Sequence, residues 1–489
     1  MAKVQKNLLL NLSLSLSQVI FPLFTIPYVA RVLSPGSIGQ VSFADSFAFY
    51  FTIIAEFGIL TYGVREVAKH RNDPTRLSQT VSALISLHVL TSFIAILLFS
   101  CFAFLLRSHF PDPNILFLSY LYLFANAFAC EWYFYGQEAF NYIALRSICI
   151  RILGIIAIYL LVQSPDDYLL YYGIIVFSSV TTIGLNFYQV VRKRLFRFDF
   201  KGGIKYIRQV WTINLVSMLY AIPMLLDNVV MGIVASAATV GLYAFTVKIV
   251  RISGSVVTDS LLVFFPSVVS LQSQHHQEQL KQQLLFSIRL ILLFATPLSI
   301  GIFLLAGDII PVFLGDQFTA VVPNLQLVAL FPFIKAVSLY YSNPILLASH
   351  REKSYLHNLI VSCLLFFALA FAGGYYYGAM GMCLALLISE TVLLLLNLAS
   401  VKKQPGDLPV FSARFFFIAM GLSLFFYPIV YGINLLNLPA LPGLAAKVIS
   451  CILFYLFVVF VVWKPFGPLF GRKMNTGNKT EGNTQADKA

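Results

Sequence analysis

Ionisable side chains set inside long apolar runs need a partner or a polar cavity, and this chain carries a set of them. The cations are Lys248, Arg251, Arg151, Arg146, Arg289 and Lys335; the carboxylates are Asp45, Glu56, Asp227, Asp259, Glu131 and Glu390. Grouped cations would grip an anion, and the planar guanidinium fork of Arg suits phosphate oxygens. The carboxylates could bind a coupling proton or cation, or pair with the cations across helices. Asp45 and Glu56 are eleven residues apart, close to three helical turns, so they share one face; Lys248 and Asp259 repeat that spacing, with Arg251 one turn from Lys248. The first half thus carries an acidic stripe and the second a mainly basic one. Arg146 and Arg289 lie near helix ends, from which their side chains are long enough to snorkel. The six cysteines sit singly in apolar runs and His275-His276 in a polar stretch, so no metal site, cofactor or disulfide framework is expected.

The elements that must hold these residues are membrane helices. Mean hydropathy is +0.83 and only 11% of residues are charged, against about 25% in soluble domains. Apolar runs of about 20 residues recur along the whole chain, the length that crosses a bilayer as a helix. They are expected at about 7 to 32, 41 to 63, 80 to 106, 114 to 137, 142 to 163 and 168 to 191, then at about 210 to 231, 241 to 270, 284 to 306, 321 to 347, 355 to 377 and 379 to 400, with two more near 414 to 436 and 444 to 466. The fold class is therefore an all-α polytopic membrane protein of about 14 spans.

Net charge +13 does not point to nucleic acid, because the Lys and Arg residues are divided among many short connections. Sorting those connections by side gives a positive-inside pattern. Arg65 to Arg76, Arg192 to Arg208, Arg351 to Lys353 and Lys402-Lys403 fall on one side with both termini, and Asp112, Asp166, Asp167, Asp308 and Asp316 on the other. N- and C-termini are expected in the cytoplasm. Val29 to Ala44 is similar to Val230 to Phe245, with Ile38-Gly39 opposite Val240-Gly241, which reads as an internal repeat. The expected organisation is a first lobe at 1–191, a basic amphipathic linker at 192–209, a second lobe at 210–400, two further helices at 401–466 and a polar tail at 467–489. Pro22, Pro27, Pro223, Pro266, Pro332 and Pro344 fall inside spans and would bend helices around a cavity.

Phe57 to Asp73, Glu131 to Ala139, and Asp227-Asn228 with Val240-Gly241-Leu242-Tyr243 resemble the bacterial polysaccharide exporters that include the Wzx-type O-antigen flippases. The resemblance covers roughly Lys6 to Trp463. It implies the multidrug/oligosaccharidyl-lipid/polysaccharide exporter fold, with two six-helix lobes around a central cavity plus two C-terminal helices. It also implies a bacterial inner membrane protein, not an enzyme, that moves an undecaprenyl-pyrophosphate-linked oligosaccharide across the bilayer by alternating access, with H+ or Na+ as coupling ion and other polysaccharide assembly proteins as partners. Tyr62, Gly63, Arg65 and Glu66 match a family motif at a helix end, where hinge, packing and ligand contact are all open. A cation-coupled multidrug exporter of the same fold would favour an acidic cavity. A membrane glycan polymerase or ligase would be expected to carry a sizeable soluble loop with clustered catalytic residues, and no connection here is long enough.

Overall fold

Ser34-Pro35, Asp73-Pro74 and Asp112-Pro113 each place a side-chain acceptor before a proline, the pair of residues that starts a helix. In the computed structural model, which describes residues 20–110, 112–211, 226–262, 268, 271, 277–349, 351–402 and 412–466, all three start one. After α1 (Ile20–Val32), Ser34 caps α2 (Pro35–Glu56), Asp73 caps α4 (Pro74–Leu105) and Asp112 caps α5 (Pro113–Asn126). The second and third spans therefore begin six residues earlier than hydropathy places them. Between α2 and α4 lies α3 (Ile59–His70), divided from α2 by Phe57 and Gly58, both with positive φ. The first half continues with α6 (Glu131–Gly136), α7 (Phe140–Leu161) and α8 (Tyr168–Arg192), followed by a helix α9 at 200–211.

The second half holds α10 (Asp227–Val234), α11 (Ala237–Leu262), α12 (Gln277–Phe313), α13 (Val321–Val328), α14 (Phe331–Tyr341) and α15 (Glu352–Lys402). Helix α15 reverses at Gly378 (φ 57°), between the spans expected at 355 to 377 and 379 to 400. Only glycine adopts that conformation without strain, and Gly373 and Gly381 let the two arms touch backbone to backbone. Three helices follow, α16 (Ala413–Leu424), α17 (Phe426–Asn434) and α18 (Ala440–Phe466), and pack against α12 around Leu293, Leu305, Phe426 and Tyr455. Among the described residues, ten helices are long and apolar enough to cross a membrane, with α15 counted once although it holds two of the expected spans. Pro332 stands at the start of α14 and Pro344 in a π-helical turn after it; Pro223 and Pro266 lie outside the described residues.

The repeat is visible in the geometry. Ser34 Oγ accepts from the Ser37 N–H at 3.1 Å and Ser236 Oγ from the Thr239 N–H at 3.3 Å, so α2 and α11 begin with the same cap. Five residues after each cap stands a glycine, Gly39 and Gly241, and the two helices cross there. A Cβ on Gly39 would run into the Ala237 carbonyl, and one on Gly241 into that of Pro35. Alongside, Arg31 Nη2 donates to Val312 O at 2.6 Å, and Gln317 Nε2 donates to the carbonyls of Ala30 and Leu33.

The core shows what this crossing does. At the end that carries Ser34, Asp112 and Gly315, one hydrophobic cluster runs through both halves, from Leu33, Phe47 and Tyr172 to Tyr243, Phe318 and Phe366. At the end that carries Arg65–Arg76 and Arg192–Arg208, here called the basic end, each half has its own. The first half's is built on Tyr62, Trp132 and Leu84, the second half's on Ile288, Tyr340 and Tyr341. Among the described residues the halves thus share one core at one end and have separate cores at the other. Gly39→Leu should wedge the crossing apart, at a cost of about 1–3 kcal/mol for overpacking. In a background without the native cysteines, Val240→Cys, buried in the wild type, is expected to react with a membrane-impermeant maleimide about tenfold faster when Gly39→Leu is added. Equal rates in a normally inserted variant would show that the crossing does not hold this end shut.

Candidate functional site

Below the glycine crossing, α2 and α11 bring charge to the space between the halves. Asp45 lies six residues beyond Gly39 and Lys248 seven beyond Gly241, so both sit about 10 Å further along their helices, at 1.5 Å per residue. They fall within electrostatic range of each other across the halves. Lys248 is exposed despite this depth, and among the described residues no carboxylate lies within 4.0 Å of it. Beside it, Asn228 Nδ2 donates to Ser46 Oγ at 3.0 Å, again from one half to the other. The lobes meet down to this level.

Arg251, one turn past Lys248, turns into the second half. Its Nη2 donates to Asp227 Oδ2 at 2.7 Å, and the Tyr243 hydroxyl donates to the same oxygen at 3.1 Å. Asp227 is fully buried at 0% exposure, which such a charge tolerates only with partners of this kind. Further into the second half, Lys335 Nζ donates to Glu390 Oε1 at 2.7 Å. Arg289 lies over the Phe415 ring, 4.9 Å from its centre. Neither Arg289 nor Lys335 lines the cavity where Arg146 and Arg151 lie. Asp259 belongs to α11, but its side chain is outside the described residues.

The other charges surround a cavity of 490 Å³ inside the first half, lined by Glu56, His88, Asn126, Glu131, Arg146 and Arg151 with Tyr122 and Tyr135. Arg146 does not snorkel to the interface. It is buried, donating to Asn186 Oδ1, to Glu131 Oε1 at 2.7 Å and to Ser147 Oγ at 3.1 Å. Arg151 lies half-buried within range of Glu131 and Tyr135. Glu56, the last residue of α2, faces Asn126, which stands between it and His88. His88 Nδ1 is 3.3 Å from the Ala129 carbonyl, which makes it the donor and leaves Nε2 with a lone pair. Among the described residues, His88 Nε2 and Asn126 Oδ1 have no hydrogen-bond partner. Two acceptors beside a carboxylate can take a proton or a small cation.

The expected cationic cavity is therefore balanced. Among the described residues, Lys248, Arg251, Arg146 and Arg151 on α11 and around the first-half cavity stand against Asp45, Asp227, Glu56 and Glu131, four charges of each sign. Lys248 is the cation whose surface is open.

Residues 4–272 match the family described as polysaccharide biosynthesis protein. That is more than half of the chain. The chain belongs to this family. A putative O-antigen transporter of Shigella dysenteriae is 22% identical over 406 residues, which span 82% of this chain and all of the relative. The fold is that of a transporter. The structure matches a lipid II flippase, MurJ, in an inward closed conformation with a TM-score of 0.69 at 17% identity, over 94% of this chain and 99% of that one. It also matches an inward-facing multidrug resistance MATE family transporter of the MOP superfamily with a TM-score of 0.58 at 15% identity, over 80% and 96%.

Two of the stretches that resemble the family lie against each other. A Cβ on Gly63 would stand 2.7 Å from the Trp132 ring, and one on Gly136 2.6 Å from Val67; Arg71 Nη1 pairs with Glu138 Oε1 at 2.9 Å. Packing accounts for Gly63. Tyr62 instead reaches the linker, its hydroxyl donating to Gln209 Oε1 at 3.4 Å, and Arg65 lies over the Tyr62 ring. His88, Asn126 and Asn186 were outside the set expected from sequence, since a neutral polar residue in an apolar span is common. Asp227→Ala, which leaves Arg251 without its carboxylate, should destabilise the protein by about 3–5 kcal/mol. Adding Arg251→Met should recover part of that loss in thermal unfolding in detergent, whereas additive losses would show that the two are not coupled.

Proposed function

We propose that this protein is a flippase that carries an undecaprenyl-pyrophosphate-linked oligosaccharide, an O-antigen unit or a similar repeat, from the cytoplasmic to the outer leaflet of a bacterial inner membrane. The observation that carries this reading is Lys248, an exposed cation about two turns beyond the helix crossing that joins the two halves of a chain in a polysaccharide family. Lys248 would hold the pyrophosphate while the polar glycan fills the cleft and the lipid tail stays in the bilayer. With both termini in the cytoplasm, the basic end faces the cytoplasm and the cleft is open to the leaflet where such lipids are made. Alternating access follows when the crossing of α2 and α11 opens and the separate cores at the basic end come together.

In this reading the first-half cavity supplies the coupling. Glu56, with Asn126 and His88 beside it, takes H+ or Na+, and the loaded and empty forms of that cavity favour different arrangements of α2. The same acidic group suits a cation-coupled multidrug exporter, the reading favoured if organic cations are the cargo. Other polysaccharide assembly proteins are the partners that would supply and take up the cargo.

In sealed vesicles given radiolabelled undecaprenyl-pyrophosphate oligosaccharide, Lys248→Ala is expected to lower the translocation rate tenfold or more, about 1.4 kcal/mol or above, while Lys248→Arg retains most of it. Both variants transporting as well as the wild type would remove the headgroup role of Lys248. Wild-type protein that exports organic cations and moves no lipid-linked sugar would replace the flippase reading with the drug exporter.

A further inference from the structure

The segment 192–208 carries seven basic residues against one acid, Asp199, whose carboxylate is occupied in accepting the Gly202 N–H at 2.8 Å. It is fastened in place. Ser82 Oγ donates to Leu195 O at 3.0 Å and accepts from the Arg197 N–H at 3.0 Å, and Ser86 Oγ accepts from the Asp199 N–H at 2.8 Å. Gly203 then lies so close to α4 that a Cβ there would stand 2.7 Å from the Ala83 carbonyl. The helix α9 is thus held on the first half at the basic end.

At about 100° per residue, α9 divides into three faces. Gly203, Tyr206 and Val210 turn to the protein, buried or half-buried. Phe200, Ile204, Ile207 and Trp211 are all exposed and share an arc of about 60°. Lys201, Lys205 and Arg208, exposed as well, occupy a second arc of similar width about 100° away. A water-facing helix would not show four large apolar side chains in one line, and a helix buried in hydrocarbon would not carry three cations beside them. Apolar and cationic faces side by side fit the headgroup boundary, where chains begin and phosphates end.

We propose that α9 is a binding surface for anionic phospholipid. The phosphates lie against Lys201, Lys205 and Arg208, and the upper acyl chains lie under Phe200, Ile204, Ile207 and Trp211. This holds whatever the transported molecule is. Because the strap fixes α9 to α4, the bound lipid holds the first half at a set depth rather than tethering a loose loop.

The test uses the full-length protein in detergent, incubated with micelles containing phosphatidylglycerol or phosphatidylcholine, with retained lipid counted by mass spectrometry after gel filtration. Wild type is expected to retain phosphatidylglycerol preferentially, and K201Q/K205Q/R208Q to lose about tenfold or more of that preference at unchanged thermal stability. R65Q/K69Q/R76Q, which removes as much charge elsewhere at the basic end, is expected to keep it. A triple linker variant that retains phosphatidylglycerol like wild type, or an equal loss in the control, would overturn the proposal. Should the linker variant fail to insert, a salt titration of the wild type decides: a preference that fades at raised ionic strength supports the proposal, and one indifferent to salt sinks it.

Discussion

Two helices meet here without side chains between them. At Gly39 and Gly241, α2 and α11 touch backbone to backbone, and the carbonyls of Ala237 and Pro35 occupy the space that any Cβ would need. In lipid there is little hydrophobic drive between helices, so close packing of small residues supplies the contact. Around that contact one apolar core runs through both halves, and away from it the core divides in two. The depth of the cleft, the level of Asp45 and Lys248 and the open surface of Lys248 all follow from where the helices cross.

Polar contacts do different work inside each half. In the second half Asn358 Nδ2 donates to Asn397 Oδ1 and Ser400 Oγ, both at 3.0 Å, and Asn397 Nδ2 reaches Ser338 Oγ at 3.3 Å. With Lys335–Glu390 and Arg251–Asp227, these bonds tie helices within the half. The first half keeps Glu56, His88 and Asn126 around a cavity instead. Charged and amide side chains line a cavity in the first half, whereas the pocket between Ile300, Leu330 and Tyr427 in the second is apolar.

The spans and the repeat were legible because both rest on local pattern. Apolar runs mark helices, and Ile38-Gly39 set against Val240-Gly241 marks two copies of one unit. Helix starts were less so: hydropathy places the second span at about 41, whereas Ser34 and Pro35 start it, and capping is the signal to read there. The partners of the charges were not legible at all. Arg146 meets Glu131 and Asn186, and Lys335 meets Glu390, over separations of 15, 40 and 55 residues that only the packing of helices determines. For that reason Arg251, part of a stripe that reads as basic in sequence, is neutralised by Asp227 in the structure. Burial also overrode the reach of Arg146, whose place near a helix end suggested a side chain bent to the interface.

The pairing of charges bears on the membrane potential. Each of Arg146–Glu131, Arg251–Asp227 and Lys335–Glu390 is a cation and an anion at one depth, so displacing such a pair with its half carries almost no net charge through the field. Asp45 and Lys248, at matching depth, nearly cancel as well. In the proposed cycle, rocking of the empty protein would then move little net charge. The work done by the potential, about 2.3 kcal/mol per elementary charge per 100 mV, falls on what the cleft and the first-half cavity carry. In that proposed cycle an inside-negative potential would drive an anionic cargo outward and leave the return of the unloaded protein untaxed, which would give it a direction without any moving charge of its own.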